Sequence, residues 1–260
     1  MMKTVVIKIG GMLLNSDASM IRLFNGIYSY YQSYYHNILI VHGGNYWFES
    51  IMKNIYCTFK KDDLNAINLN INNNIYHDLK IGILSGTINK YLVNQSRLYN
   101  INAIGLCLTD GNMLIFDQYD LNNPMKPTCG SLRLINYFFK LKIIPIISSI
   151  GINQNNDINI IDSDITAMIL AKCLNARLIL LTDVSAVLDG KGNRIKELSE
   201  YDANKLISEG IITDGMISKV QTALRFARDL NKSVDISGLQ DIIQLKLLLQ
   251  GHSSGTRIFC

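Results

Sequence analysis

Two short apolar runs near the N-terminus both end in a pair of glycines, and this repeat constrains the fold more than any other feature. The runs read TVVIKIGG at residues 4–11 and NILIVHGGN at residues 37–45. Their aliphatic and β-branched residues indicate buried strands, and the glycines indicate tight loops. A helical periodicity from Ala18 to Tyr34 separates the two runs. This alternation predicts an α/β fold whose parallel strands end at one edge of a sheet.

The same alternation continues along the chain. Further strands are predicted in INAIGLCL, IIPIISS, ARLILL, SVDIS and GTRIFC, the last at the edge of the sheet, and QNNDINII is predicted to be a hairpin. Helices are predicted at 46–54, Asn74–Tyr99, Ser163–Leu174, Asp202–Glu209 and Ile217–Leu230. We therefore expect a central, mainly parallel sheet, with ligands bound along the carboxyl edge of its strands.

The composition excludes several classes of protein. Of 260 residues, 48% are hydrophobic and 18% charged, a balance typical of a globular chain with a large core. No apolar run approaches the roughly 18 to 20 residues of a membrane span, and the N-terminus has no signal-peptide pattern. We therefore expect a cytoplasmic protein without a membrane partner. The net charge of +4 is dispersed, which favours small anionic substrates over nucleic acid.

The cysteines indicate neither a disulfide framework nor a zinc site. They are odd in number, widely scattered and free of any C-x-x-C spacing. We therefore expect buried thiols at all five positions, which are Cys57, Cys107, Cys129, Cys173 and Cys260.

Lys8 lies in the first strand, two residues before the glycine pair Gly10 and Gly11. Paired glycines let backbone N–H groups approach an anion, and a nearby lysine adds a positive charge. The alternative is an edge-strand lysine followed by an ordinary loop. The glycines of VHGG, including Gly44, would face the same crevice. Neither loop matches a Walker or a dinucleotide-binding motif, so those two classes are disfavoured.

Three stretches in the second half add further polar groups. ITDGMISK places Lys219 after a Thr-Asp-Gly turn, where a helix is expected to open beside an anion site. LLTDVSAVLDGKG places Thr182 and Asp183 at the end of a strand. DSD places Asp164 at the start of a helix, where a carboxylate is most often only an N-terminal cap.

Together these motifs resemble the amino-acid kinase family along nearly the whole chain. KIGGMLL, IVHGG, SGTINK, SSIG, LLTDVSAVLDGKG and GIITDGMISKV are more narrowly similar to acetylglutamate kinases of the short bacterial type. The resemblance implies a three-layer α/β sandwich and transfer of the γ-phosphoryl of ATP to the side-chain carboxylate of N-acetyl-L-glutamate, the second step of arginine synthesis. It also implies Mg²⁺ held mainly by the phosphates, with no protein metal site.

The resemblance also implies roles for individual residues. Lys8 and Lys219 would stabilise the transferring phosphoryl from opposite sides, and Asp164 would orient both lysines. Gly10 and Gly11 would donate backbone hydrogen bonds near the γ-phosphate. The segments that would hold the nucleotide are Asp183, Val184, Ser185, Ala186, Val187, Leu188, Ile211, Ile212 and Thr213.

The acceptor side departs from the family pattern. Gly44 matches a family glycine, and Asn45 replaces the third glycine of H-G-G-G. The arginine that clamps the substrate's α-carboxylate is replaced by Ala66 or Asn65. The asparagine that contacts the acetylamino group is replaced by Ile160, unless Asn159 serves after a one-residue shift. Candidates to replace the clamp are Lys60, Lys61 and Arg133.

The resemblance implies one amino-acid kinase domain over residues 1–260. Its N-terminal half, about 1–160, would bind the acceptor, and its C-terminal half, about 161–260, the nucleotide. The family's arginine-inhibited hexamers carry an extra N-terminal helix, whereas this chain is predicted to begin its first strand near Thr4. We therefore expect a homodimer without arginine feedback. Two other functions stay open at this point: a phosphotransferase of the same family with another small acceptor, and an ATP-binding pseudoenzyme.

Overall fold

A large central sheet organises the computed structural model of this chain, which describes residues 4–32, 37–58, 73–115 and 128–260. The strands in these ranges are β1 (Thr4–Ile9), β2 (Asn37–His42), β3 (Ala103–Cys107), β4 (Leu114–Ile115), β5 (Thr128–Cys129), β6 (Ile144–Ser148), β7 (Ile150–Ile152), β8 (Ile158–Ile160), β9 (Arg177–Leu181), β10 (Glu197–Ser199), β11 (Val234–Ser237) and β12 (Thr256–Phe259). Among the described residues, eight of them form the central sheet in the order β10-β12-β11-β9-β1-β2-β6-β3.

Neighbouring strands of this sheet are parallel, except that β11 and β12 are antiparallel. The prediction of a mainly parallel sheet is therefore confirmed. Two antiparallel hairpins, β4 with β5 and β7 with β8, lie outside the sheet. The second confirms the hairpin predicted in QNNDINII. The final strand, β12, is not at the edge as predicted, because the short strand β10 pairs with its outer side.

Helices cover both faces of the sheet. In the described ranges they are α1 (Gly11–Leu14), α2 (Asp17–Tyr31), α3 (Asn45–Thr58), α4 (Asn73–Gly82), α5 (Asn89–Leu98), α6 (Arg133–Lys140), α7 (Ser163–Cys173), α8 (Glu200–Ser208), α9 (Asp214–Leu230) and α10 (Ile242–Gln250). A π-helical turn, Ile83–Ile88, joins α4 to α5, so the helix predicted at Asn74–Tyr99 is confirmed as one continuous segment.

Side-chain alternation along β1 divides the core between the two faces. Val5, Ile7 and Ile9 belong to the cluster that buries α2 and α10, whereas Val6 belongs to the cluster that buries α7 and α9. The molecule is therefore the expected sandwich of helices, sheet and helices. Each fully buried aliphatic side chain in these clusters stabilises the fold by roughly 1.5 to 3 kcal/mol relative to its exposed state.

The ends of four parallel strands lie side by side at the carboxyl edge. Ile9 of β1 is in register with His42 of β2 and with Leu181 of β9, which is itself in register with Ser237 of β11. The loops that follow these strands therefore converge. At Gly10 the backbones are so close that an added Cβ would lie 3.0 Å from the Leu181 carbonyl oxygen, which explains a glycine there.

Helix α9 begins earlier than the sequence predicted. It starts at Asp214 instead of Ile217, so Lys219 lies in the second turn and not at the N-terminus. Thr213 is the N-cap residue, and its side chain makes no capping hydrogen bond. The expected position of Lys219 beside the N-terminus of this helix is therefore wrong. The position of its side chain depends on the tertiary contacts described below.

The expectation that all five cysteines are thiols is wrong for one pair. Cys129 of β5 and Cys173, the last residue of α7, form a disulfide whose Cα atoms lie 5.7 Å apart. It links the β4–β5 hairpin to the helix that begins with the DSD motif. Cys107 and Cys260 are thiols, but Cys107 is only partly buried and Cys260 is exposed, so the expectation of burial is wrong for Cys260. No helix within the described residues has the length and hydropathy that a membrane span needs.

Candidate active site

Lys8 and Asp164 form an ion pair at the centre of the carboxyl edge. Lys8 lies on the same face of β1 as Val6, and this face is covered by α7, whose second residue is Asp164. The Lys8 Nζ atom lies 2.9 Å from Asp164 Oδ1, with 13% of the lysine side chain exposed. The sequence motif thus brings a strand lysine and a helix carboxylate into direct contact.

Asp162, not Asp164, caps helix α7. Its Oδ1 atom accepts hydrogen bonds from the backbone N–H groups of Asp164, at 2.8 Å, and Ile165, at 3.0 Å. These bonds satisfy two of the donors left open at a helix start. The capping interpretation of Asp164 is therefore wrong, and its carboxylate is available to Lys8.

Lys219 pairs with Asp183 and not with Asp164. Its Nζ atom lies 2.7 Å from Asp183 Oδ1, and about a third of the lysine side chain and half of the aspartate side chain are exposed. The hydrogen bond from Lys219 lowers the pKa of Asp183 below its ordinary value, against a smaller opposing effect of burial. Asp164 therefore orients Lys8 alone in this structure.

Both lysines line one cavity of about 350 Å³ at the strand ends. The remaining residues that line it are Gly10, Gly11, Met12, Asp164, Leu180, Thr182, Asp183, Ser218, Thr222 and Ile236. The Gly10 N–H donates to the Leu181 carbonyl at 2.9 Å, so Gly10 permits close approach of the strands rather than offering its own amide. The motifs did not single out Met12, Ser218 or Thr222. We call this space the transfer cavity.

A second cavity, of about 340 Å³, adjoins the first at Asp183. All nine residues predicted to hold the nucleotide line it, together with Met216 and Gln240, which the motifs did not mark. Two chain segments far apart in sequence, 183–188 and 211–213, therefore meet as predicted. We call this space the nucleotide-side cavity.

Buried polar contacts fix the loop along the nucleotide-side cavity. The Thr182 hydroxyl accepts from the Val184 N–H and donates to the Val184 carbonyl, forming a tight turn after β9. The buried Thr256 hydroxyl accepts from the Val187 N–H at 2.9 Å and donates to the Ile195 carbonyl at 2.7 Å. Hydrogen bonds between these two threonine hydroxyls and the backbone thus hold the loop that carries the apolar lining.

The third and largest cavity, about 890 Å³, opens on the opposite side of Lys8. Three of the residues expected on the acceptor side, Gly44, Asn45 and Ile160, line it, and so does the alternative Asn159. Ala66 lies outside the described residues. The other lining residues are Lys8, Gly11, Met12, His42, Gly43, Tyr46, Tyr76, His77, Lys80, Leu84, Ser149, Ile161, Asp162, Ser163 and Asp164. We call this space the acceptor-side cavity.

Of the three candidates for the missing clamp, the one that the structure describes does not line this cavity. Arg133, the first residue of α6, is not among its lining residues, and Lys60 and Lys61 fall outside the described residues. The structure instead brings in Tyr76, His77 and Lys80 from α4, which the motifs did not single out. No glycine loop or spacing marks these positions in the sequence.

His42 is a buried, neutral histidine behind the glycine loop. Its Nδ1 atom donates to the Gly43 carbonyl at 2.8 Å, and its Nε2 atom accepts from the amide of buried Asn89 at 3.1 Å. Burial is the main reason that the pKa of His42 falls to about 4. Asn89 also donates to the Ile146 carbonyl at 3.0 Å and accepts from Lys90. This network fixes the start of the loop that carries Gly44.

The described residues contain no group of three or more His, Cys, Asp or Glu side chains arranged to hold a metal ion. Around the transfer cavity the carboxylates of Asp164 and Asp183 each contact a lysine. The donor set therefore suits an anion held by lysines and backbone groups more than a cation held by carboxylates.

Sequence comparison agrees with this geometry. The model of the family described as "Amino acid kinase family" matches residues 3–237. The chain belongs to the amino acid kinase family. Among curated members, this amino acid kinase is 43% identical to the acetylglutamate kinase of Buchnera aphidicola subsp. Schizaphis graminum over 99% of both chains. It is 40% identical to the acetylglutamate kinase of Pectobacterium atrosepticum, again over 99% of both chains.

Solved structures support the fold of this amino acid kinase. Carbamate kinase from Giardia lamblia, bound to AMP-PNP, superposes with a TM-score of 0.63 at 19% identity over 99% of this chain and 98% of that one. Isopentenyl phosphate kinase superposes with a TM-score of 0.67 at 16% identity, covering 98% and 100% of the two chains. At these identities the likeness concerns the fold alone.

Proposed function

We propose that this chain transfers the γ-phosphoryl group of ATP to the side-chain carboxylate of N-acetyl-L-glutamate. The observation that carries the proposal is the placement of Lys8 and Lys219 around one transfer cavity. This cavity shares Asp183 with the nucleotide-side cavity, and it shares Lys8, Gly11, Met12 and Asp164 with the acceptor-side cavity. Two substrates bound in the outer cavities would meet between the two lysines.

The chemistry requires positioning and charge neutralisation more than acid–base catalysis. A substrate carboxylate is already ionised near pH 7, so no general base is needed. One carboxylate oxygen forms a bond to the γ-phosphorus while the bond from that phosphorus to the β–γ bridging oxygen breaks, giving an acyl phosphate and ADP. Lys8 and Lys219 neutralise the charge on the transferring group, and Asp164 holds the ammonium group of Lys8 in place.

The nucleotide-side cavity fits an adenine nucleotide. Val184, Ala186 and Val187 supply apolar contacts, and the cavity volume of about 340 Å³ lies within the range of small-ligand sites. Lys219 stands where this cavity opens toward the transfer site and would exchange its contact with Asp183 for phosphate oxygens. Mg²⁺ would be held mainly by the phosphates, where it would neutralise charge, because the carboxylates here already contact lysines.

The acceptor assignment is supported by the relatives. The full-length curated matches at 40–43% identity are named acetylglutamate kinase, which favours this acceptor over another small acid and favours turnover over a pseudoenzyme. We place the reaction at the second step of arginine biosynthesis, in the cytoplasm. Residues 1–160 would form most of the acceptor side of a single domain and residues 161–260 most of the nucleotide side. We also propose a homodimer, which light scattering on the purified protein would test.

ADP release by the purified protein tests this function. We expect Mg-ATP turnover to rise when millimolar N-acetyl-L-glutamate is added, and we expect Lys219→Ala to abolish the increase. Nucleotide binding without any stimulation by the acceptor would contradict the proposal. Equal stimulation in the variant would show that the activity does not arise at this site.

A further inference from the structure

We propose that Lys80 binds the α-carboxylate of the acceptor and so determines its specificity for a dicarboxylate. The inference rests on the proposed function, and it assigns a residue that the sequence motifs did not mark. N-Acetyl-L-glutamate carries two carboxylates, of which only one receives the phosphoryl group. The second carboxylate enters the acceptor-side cavity with a full negative charge and requires a positive group there.

The charges around the acceptor-side cavity leave one lysine for this task. Among the residues that the structure describes, the charged side chains that line it are Lys8, Lys80, Asp162 and Asp164. Lys8 is paired with Asp164, and Asp162 accepts two backbone hydrogen bonds as the cap of α7. His42 is buried and neutral, because its pKa is lowered to about 4. Lys80 has no ion pair with any residue that the structure describes.

The place of Lys80 in its helix gives no structural reason for a cation. Lysines are common at helix C-termini, where they complement the helix dipole. Although α4 ends at Gly82, the chain continues in helical conformation through the π-helical turn into α5, with φ −59° and ψ −41° at Gly82 itself. Lys80 therefore lies in the interior of a helical segment that runs from Asn73 to Leu98.

Lys80 lines the acceptor-side cavity, and its ammonium group also contacts an aromatic ring. Its Nζ atom lies 5.6 Å from the centroid of the Phe48 ring, a cation–π contact that orients the ammonium without neutralising it. Helix α4 is itself fixed at the cavity wall. Tyr76 donates to Glu49 at 2.9 Å, and the His77 Nε2 atom donates to the Ile158 carbonyl at 3.0 Å. A carboxylate would therefore meet a preoriented cation.

Asn159 complements this assignment. The Asn159 amide nitrogen donates to the Asp157 carbonyl at 3.0 Å, and its side-chain oxygen makes no hydrogen bond with the residues that the structure describes. Asn159 lines the same cavity, and a side-chain oxygen of this kind suits the N–H of an acylated amino group. Lys80 thus offers a cation to the α-carboxylate, and Asn159 offers a hydrogen-bond acceptor to the N–H of the acetylamino group. The side-chain carboxylate of the substrate would then reach Lys8.

Substitution of Lys80 tests the assignment by acceptor kinetics and by direct binding. Lys80→Met keeps the apolar stem and removes the charge, Lys80→Arg keeps the charge, and Lys53→Met, on the exposed face of α3, is the matched control. We expect Lys80→Met to raise the KM for N-acetyl-L-glutamate roughly 10- to 100-fold, the loss of one charge-assisted contact. The KM for ATP should stay unchanged, kcat should change less than threefold, and Lys80→Arg should retain most of the affinity.

An acceptor analogue distinguishes direct binding by Lys80 from a purely structural role of that residue. The α-carboxamide of N-acetyl-L-glutamate keeps the side-chain carboxylate but has no charge at the α-carbon. We expect wild-type protein to prefer the acid strongly over the amide, and Lys80→Met to lose most of that preference. If Lys80→Met keeps the preference, or if Lys60→Met or Lys61→Met removes it instead, the assignment is overturned.

Titration calorimetry separates this assignment from the proposed reaction. If wild-type protein binds N-acetyl-L-glutamate without turnover and Lys80→Met binds it more weakly, the Lys80 assignment stands and the proposed reaction fails. If turnover occurs and Lys80→Met binds the acceptor as tightly as wild type does, the reaction stands and the assignment fails. Absence of acceptor binding to wild-type protein would overturn both.

Discussion

The Lys8 Nζ atom donates to Asp164 Oδ1 at 2.9 Å, across the junction between strand β1 and helix α7. The pair lies where the transfer cavity and the acceptor-side cavity meet. A lysine on a strand has several side-chain conformations open to it, and the carboxylate selects one. We therefore propose that Asp164 is a positioning residue, whose effect on catalysis passes through Lys8.

Asp164→Asn tests this role. The amide keeps the shape but not the charge, so we expect kcat to fall roughly 100-fold through misplacement of Lys8 while the KM for ATP changes little. Steady-state kinetics measures both values. Asp229→Asn, which removes an exposed carboxylate 4.0 Å from Arg225 on helix α9, is the control and should stay within twofold of wild type. An unchanged kcat in Asp164→Asn would contradict the role.

His42 gives a prediction for pH. Its pKa is about 4 in the folded protein and near 6.5 when unfolded, so the unfolded chain binds more protons between these values. Stability is therefore highest above pH 6.5 and falls as the pH drops toward 4, by about 3 kcal/mol from this group. Urea unfolding at a series of pH values measures the slope. His42→Gln should flatten it, and equal slopes in the two proteins would contradict the buried neutral state.

Two glycines, Gly44 in the loop after β2 and Gly82 at the end of α4, give substitutions with opposite expected effects on the free energy of unfolding. A Cβ at Gly44 would lie 2.4 Å from Ile88 Cδ1 and 2.7 Å from Leu84 Cδ2, both on buried side chains. We expect Gly44→Ala to cost roughly 1 to 3 kcal/mol of unfolding free energy by overpacking and to raise the acceptor KM.

Gly82→Ala is the matched control, because the added Cβ meets nothing within 4 Å and the backbone there is helical. It should stabilise the protein by about 0.4 to 1 kcal/mol. Denaturant unfolding measures the free energy of unfolding of both variants. A Gly44→Ala variant as stable as Gly82→Ala would contradict the close approach of Gly44 to the helical side chains Leu84 and Ile88.

The disulfide predicts a thiol count. Without reductant, the denatured chain should show three reactive thiols, because Cys129 and Cys173 are bonded, and five after reduction. Because the two cysteines are 44 positions apart in sequence, the double variant Cys129→Ser with Cys173→Ser should lose roughly 3 to 4 kcal/mol of unfolding free energy. Five thiols before reduction would contradict the bond.

The motifs predicted the parts of the site that depend on backbone pattern. Strand ends followed by glycines indicated which loops converge. The family resemblance assigned the stretches Asp183–Leu188 and Ile211–Thr213 to one ligand, and in the structure both stretches line one cavity. The convergence of these loops can be predicted from sequence because parallel strands have their carboxyl ends at one edge of the sheet, whatever their side chains are.

Contacts between side chains far apart in sequence were not predictable in the same way. From the sequence alone, Asp162 and Asp164 are equally good candidates for the N-cap of α7. Only the fold determines that Asp162 is the cap and that Asp164 forms the ion pair with Lys8. Lys80 has no motif around it and appears as an ordinary helix lysine. The pairing of Cys129 with Cys173 has no signature in spacing and follows from the proximity of β5 and α7.

The most direct test of the account is to trap the product with hydroxylamine, which converts an acyl phosphate to a coloured hydroxamate. Wild-type protein with Mg-ATP and N-acetyl-L-glutamate should form the hydroxamate at the rate of ADP release, and Lys8→Ala and Lys219→Ala should each lower that rate at least 100-fold. Folded wild-type protein that releases ADP without hydroxamate, or lysine variants as active as wild type, would contradict phosphoryl transfer to a carboxylate between these two lysines.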